Sequence, residues 1–266
     1  MLRSVKSLEG FAIGATDGAI GKVKDFYFDD EAWVIRYVVV DTGAWLGGRD
    51  VLISPYSVGE PSWSGEVLPV KVTKQQIKNS PSIDSDKPIS RQYERSYLGY
   101  YGYPYYWGGP GLWGENYYPG TLLTGMGADV YPGYRGYLRA PSDNANHADP
   151  HLRSCEAVKG YHIHAKDGEI GHVQGFIIDD HSWSIRYLVV NTSNWWIGHE
   201  VLVSPEWIED VSWAESRVSV DLDRQAIKDA PPYKTDALLD RDAEVSIYNH
   251  YDRQGYWHDQ RKRAVA

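Results

Sequence analysis

Hydrophobic residues along this chain fall in short runs broken by turn formers. The longest ordered stretch is Trp33–Pro55, WVIRYVVVDTGAWLGGRDVLISP. Within it Ile35–Val40 is β-branched and aromatic, the composition of a buried strand. Asp41-Thr42-Gly43 and Gly47-Gly48 supply residues that tolerate turn geometry. Val51-Leu52-Ile53 is a second strand, closed by Ser54-Pro55. Upstream, Gly10–Ile13 predicts a short strand, Asp17-Gly18 a tight hairpin turn, and Ile20–Phe26 a strand with one buried face. Gly21 inside that strand implies a bend or a close backbone approach, as at the corner of a small barrel. Downstream, Val67–Val72 is a fifth strand, and Pro69 removes a ladder donor and marks it as an edge. Lys74–Lys78 forms one helical turn before Pro81. Five short strands between turn signals predict a small antiparallel barrel.

The same pattern returns at an offset of 150 residues with no gap, Trp33–Pro55 reappearing as Trp183–Pro205, WSIRYLVVNTSNWWIGHEVLVSP. Leu2-Arg3-Ser4 recurs as Leu152-Arg153-Ser154, and Asp17-Gly18 as Asp167-Gly168. Ile170, Gly171, Val173 and Phe176 keep the pattern of the second strand. The match continues past the strands. Asp86, Arg91, Glu94, Tyr101, Tyr106 and Trp107 correspond to Asp236, Arg241, Glu244, Tyr251, Tyr256 and Trp257. Asp86 is placed to cap a helix with Pro88 in its first turn. Its apolar stripe is Ile89, Tyr93 and Tyr97, with Tyr100 or Tyr101 one turn on; Leu239, Ala243, Ile247 and Tyr251 form the second stripe. The organisation is therefore a barrel over 1–80, a helix and Tyr-Trp tail over 81–107, and a Gly-, Pro- and Tyr-rich connector over 108–150. A second barrel follows over 151–230 and a second helix and tail over 231–266. The fold class is mainly β, two small antiparallel barrels in tandem, each with a short amphipathic helix. Duplication in one chain mimics a homodimer, so a pseudo-two-fold relation is expected.

Composition narrows the function classes. The chain has 266 residues and a net charge of −9, which disfavours phosphate tracking by nucleic-acid contact. A single cysteine, Cys155, excludes an internal disulfide and points to a reducing, cytoplasmic setting. No apolar leader opens the sequence and no run is long enough for a membrane span, so neither a signal peptide nor an anchor is expected. Tyrosine and tryptophan, 21 and 11 against 4 phenylalanines, supply side chains with an apolar body and a polar tip, suited to half-buried and interface positions.

Candidate chemistry is sparse. His162 and His164 alternate on one strand and His172 falls on the next, an arrangement able to hold a metal ion in the second half only, since Ala12, Gly14 and Lys22 stand at the matching places. Asp29-Asp30 and Asp179-Asp180 offer paired carboxylates, which turn chemistry also explains. Arg36 and Arg186 interrupt apolar strands as outward-facing side chains, structural ion pairs or partner contacts. Cys155 lacks an identifiable oxyanion donor or orienting carboxylate and reads as a buried thiol. No P-loop, dinucleotide or zinc-protease motif is present, so no catalytic residue and no cofactor is expected. Trp45, Trp195 and Trp196, in the loops after the central strands, and Tyr97, Tyr101, Tyr106 and Trp107, in the helix and tail, are the candidate partner-binding residues.

Taken together, the Asp-Gly turn, GKVKDFYFDD, WVIRYVVVDTG and VLISP resemble the PRC-barrel domain, over Met1–Ser80 and again over His151–Ala230. The resemblance implies two small binding and assembly barrels without catalytic residues. The expected function is that of a non-enzymatic scaffold or adaptor acting on a protein partner. Two other functions remain open: self-assembly into homo-oligomers through the connector, and a metal- or ligand-binding second barrel.

Overall fold

A computed structural model describes residues 1–83, 89–119, 151–192, 199–234 and 239–258. The described chain is mainly β, with thirteen strands in two sheets and a few short helices. It divides into two compact units, each taking segments from both halves of the sequence. One comprises Leu8–Cys155 and His181–Ser184; the other comprises Met1–Ser7, Glu156–Asp180 and Ile185–Ala266.

The first unit is built on the long strand β3 (Gly18–Asp29). Strands β2 (Ala12–Ala15), β4 (Val34–Asp41), β5 (Asp50–Ile53) and β6 (Val67–Pro69) complete the order β5-β4-β3-β2-β6. Strand β4 is buried at seven successive positions from Val34 to Val40, as its unbroken apolar run required. Gly21 performs the close approach expected of it: a Cβ there would lie 2.1 Å from the Asp41 carbonyl oxygen. At the β3–β4 turn Trp33 takes a left-handed backbone (φ 53°) and its ring stacks on Phe28 at 5.2 Å. That conformation costs a non-glycine residue roughly 1–2 kcal/mol, and ring burial offsets it. The helices are α1 (Lys74–Asn79), closed by a Thr73–Gln76 capping box, and α2 (Arg91–Tyr101).

The second unit repeats this plan on β9 (Gly168–Asp179), with β8 (His162–Ala165), β10 (Ile185–Asn191), β11 (Glu200–Val203), β12 (Ile208–Ser212) and β13 (Arg217–Val220). Their order is β11-β10-β9-β8-β13-β12. The matching glycine, Gly171, sits as tightly, 2.1 Å from the Asn191 carbonyl oxygen. A short helix α3 (Cys155–Val158) precedes β8; α4 (Arg224–Lys228) and α5 (Arg241–His250) follow β13.

Three expectations need correction. The sheets are not wholly antiparallel: β2 pairs parallel with β6 and β8 parallel with β13. The intervening strands carry the chain back across the sheet, so the fifth strand returns in the direction of the first. Nor do the described pairings close a barrel; each sheet runs as an open path. Finally, α2 is capped by Ser90, whose side chain accepts from the Tyr93 N–H, and α5 by Asp240, which accepts from the Ala243 N–H. The expected cap Asp86, with Pro88 and Asp236, lies outside the described residues, as do Trp195, Trp196 and most of the connector.

The opening strands are exchanged. Leu2–Ser4 (β1) pairs with β9, in the unit built mostly from the second half, and Leu152–Ser154 (β7) pairs with β3 in the first. Edge positions along the two long strands are thus filled by segments from the opposite half of the sequence.

Candidate functional site

Helix α2 lies on β4 and carries a carboxylate into the interior, where Glu94 has no exposed surface. A buried charge survives only when partners replace its water, and four groups do so. The hydroxyls of Tyr37 and Tyr106 donate to Oε1 at 3.1 and 2.5 Å. Arg91 Nη1 and His151 Nε2 stand 3.2 and 3.0 Å from Oε2. Burial and the adjoining Glu94 charge push the Tyr37 and Tyr106 hydroxyls well above the usual phenol range, so both remain donors. Arg36 is buried, not outward-facing. It pairs with Asp29 at 3.1 Å, donates to the Leu112 carbonyl at 2.5 Å, and places its guanidinium 3.9 Å from the centre of the Tyr106 ring. The Trp113 ring lies 4.9 Å from the same guanidinium, and its indole N–H donates to the Ser182 carbonyl at 2.8 Å. Asp29 also accepts from the Glu31 and Ala32 N–H groups, so the paired carboxylates serve the turn and the arginines: Asp30 takes Arg153 at 2.7 Å.

The β9-centred unit repeats the core of this network. Tyr187 and Tyr256 donate to Glu244 Oε1 at 2.8 and 2.9 Å, and Arg241 meets Oε2 at 2.9 Å. Arg186 lies 4.2 Å over the Tyr256 ring. In both units this is a fastener that holds helix to sheet.

That finding changes the standing of the expected partner residues. Tyr97 and Tyr106 are buried and serve the interior. Tyr97 accepts from the Ser54 N–H and donates to the Leu52 carbonyl, at 3.1 and 3.0 Å. Both are therefore removed from any partner-facing surface. Tyr101, half-buried, stacks on Tyr103 at 5.2 Å, and Trp107, half-buried, lies under Arg91 at 4.2 Å. Trp45 is half-buried as well. It sits in a 3-10 turn (Gly43–Leu46) that Gly47 ends in a left-handed conformation, and Lys74 of α1 lies 5.0 Å over its ring. On the same helix the Gln76 carbonyl accepts from the Tyr100 hydroxyl at 2.8 Å, while the Tyr100 ring keeps 41% of its surface exposed. Helix α1 thus contacts Trp45 through Lys74 and Tyr100 through the Gln76 carbonyl. Lys74 and Tyr100 were not singled out by composition or motif; the periodic stripe containing Tyr100 was the available signal.

The histidines lie on two neighbouring strands, but their ligand atoms do not converge. His162 faces His172 across β8 and β9, and His164 faces Glu169. One ligand atom from each histidine does not gather within 4.8 Å of the others. The shared partner is a carboxylate that sequence reading omitted: Glu169 contacts His162 Nδ1 at 2.7 Å and lies 3.9 Å from His164 Nε2. Cys155 is buried, in keeping with an inert thiol.

Comparison with known proteins places the domain. A family model of the PRC-barrel domain matches residues 3–77, the stretch from β1 into α1. An uncharacterized protein of Deinococcus radiodurans is 32% identical over 81 residues, which is 30% of this chain and 29% of that protein. The chain thus spans under a third of the relative's length. No described helix is long and apolar enough to cross a membrane.

Proposed function

We propose that this protein is a non-catalytic scaffold built from two PRC-type halves, which docks a protein partner on the Trp45–Lys74–Tyr100 face. The second half is assigned to the same domain type on the repeat at an offset of 150 residues and on its matching strand order. The observation that carries the reading is where the repeated polar groups go. Glu94, Tyr37, Tyr106 and Arg36, with their counterparts, are spent inside the units on fastening helix to sheet. Among what the β3-centred unit offers outward are the exposed Tyr100 and the half-buried Trp45 around one short helix, residue types that anchor protein interfaces, with Lys74 of that helix over the tryptophan ring. The lone buried thiol is consistent with a cytoplasmic setting.

The test is quantitative affinity capture from native cells with the full chain and with a Trp45→Ala/Tyr100→Ala double variant. A partner should fall at least tenfold in the variant while its circular dichroism is unchanged. If every captured protein is recovered equally with both, the assigned face is wrong.

A second reading has its own observation. His162 and Glu169 meet at 2.7 Å on the solvent side of β8 and β9, with His164 3.9 Å from the same carboxylate; the three ligand atoms do not gather within 4.8 Å, so zinc would have to draw them together. Calorimetric titration with zinc should show one site that is lost in Glu169→Gln and in His162→Ala. Equal heats in all three proteins would remove it.

A further inference from the structure

We propose that the strand-pairing edges of β3 and β9 are docking sites for a Leu-Arg-Ser strand, and that a second copy of this chain is a partner they fit, by exchange of that strand. The inference does not depend on the scaffold reading; it rests on the pairing itself.

The two opening strands have the same sequence, Leu2-Arg3-Ser4 and Leu152-Arg153-Ser154. Each lands on the opposite half at an equivalent register. Leu2 stands opposite Asp179 and Ser4 opposite Ile177; Leu152 stands opposite Asp29 and Ser154 opposite Tyr27. The anchors also correspond. Leu2 and Leu152 are buried at 9% and 5% exposure. Arg3 Nε lies 3.8 Å from Asp180, and Arg153 Nε lies 2.7 Å from Asp30. The backbone contact preceding each strand is the same, Asp180 N–H to the Met1 carbonyl and Asp30 N–H to the His151 carbonyl, both 3.0 Å. Two contacts differ: Ser154 donates to Asp25, where the second half has Gly175, and the Met1 ammonium pairs with Asp180.

A strand that is identical in both copies carries almost no address. Which edge receives it is decided by connectivity and by the high effective concentration that a single chain imposes. At high protein concentration, residues 1–7 of one molecule can enter the β9 sheet of another with the same pairing, which is the condition for domain swapping. The segments that would have to reorient are the 3-10 turn Val5–Leu8 and helix α3. Val5, Leu8, Cys155 and Val158 are all buried within 2% exposure. Exchange therefore requires partial unfolding and is slow in the native state.

The experiment uses two preparations of the full chain with different affinity tags. They are mixed natively, or partly unfolded together and refolded at high concentration, then passed over both tags in series and weighed by native mass spectrometry. Native mixing should leave the tags separate, and co-refolding should give a discrete dimer carrying both. With Arg3→Asp on one tagged preparation and Asp180→Arg on the other, matched strand and sheet lie on different molecules, so co-refolding should raise the two-tag dimer at least tenfold over the dimer either variant forms alone. A co-refolded sample with no two-tag dimer at any concentration overturns the proposal. So does a two-tag dimer whose yield is not raised when Arg3→Asp and Asp180→Arg stand on separate chains.

Discussion

The two halves solve one packing problem with different side chains, and the difference separates what the fold needs from what it tolerates. Both bury a glutamate between two tyrosines and an arginine, and both lay an arginine on the second tyrosine ring. Around that shared fastener the cover differs. In the β3-centred unit Tyr56 packs on Tyr103 and Trp113 at 5.4 and 5.0 Å. In the β9-centred unit Glu206 and Arg253 replace Tyr56 and Tyr103. Trp207, where the first half has Ser57, fills the space against Tyr248 and Tyr251 at 5.1 and 4.7 Å. The sheet-end tyrosine also moves one position along the helix, from Tyr97 to Tyr248, with its hydroxyl 3.4 Å from Ser204. A buried polar network cannot be redistributed piecemeal, because each member left behind would be unpaired; apolar cover can be, provided the volume is filled.

The largest expected effect is alkaline unfolding. Burial holds Tyr37, Tyr93, Tyr97, Tyr101 and Tyr106 above the ordinary phenol value and pushes Tyr103 up to about 12. In the other unit Tyr187, Tyr248, Tyr251 and Tyr256 are raised, also by burial. A phenol whose pKa is higher in the folded state ionises first in the unfolded chain. Its contribution is therefore complete below the ordinary value of 10.0 and is lost as pH climbs past it. Each such tyrosine steepens the loss by about 1.4 kcal/mol per pH unit. Tyrosinate absorbance and loss of near-ultraviolet dichroism should rise together, with the β3-centred unit yielding first. Gradual ionisation near pH 10 with the fold intact would contradict this burial.

Next in size is removal of the fastener. Glu94→Ala strands two phenols, an arginine and a histidine, a break worth about 3–5 kcal/mol in buried networks. Glu244→Ala should cost less, because Met1 occupies the place of His151 in that half. Thermal unfolding of the two variants measures the gap, and an equal loss would mean that His151 contributes nothing. Gly21→Ala and Gly171→Ala test the opposite point, since both meet a carbonyl oxygen at 2.1 Å. Each should cost about 1–3 kcal/mol in denaturant titrations, and similar losses are the outcome that sustains the equivalence of the two strands. The smallest contrast is between hydroxyls. Tyr97→Phe removes two bonds of 3.0 and 3.1 Å, about 1–2 kcal/mol, whereas Tyr248→Phe removes contacts of 3.4 and 3.5 Å and should cost roughly half a kcal/mol or less. A reversed order would show that the longer contacts shorten in solution.

Much of this was legible in the chain. The Ile35–Val40 run, the Asp-Gly turns, Gly21 and Gly171, and the repeat itself were determined by sequence, because strand propensity, turn geometry and close backbone approach are set by residues near one another. The site was less legible. Counting apolar positions on α2 finds Tyr93 and Tyr97 but passes over Glu94, since a carboxylate looks solvent-facing until its partners arrive from Tyr37, Tyr106 and His151, far away in the chain. Tertiary structure alone decided that the first and fifth strands run parallel and that Glu169 stands between two histidines. It also decided which half receives each Leu-Arg-Ser strand. Identical tripeptides contain no information that distinguishes the two edges; only the assembled sheets and the path of the chain between them do.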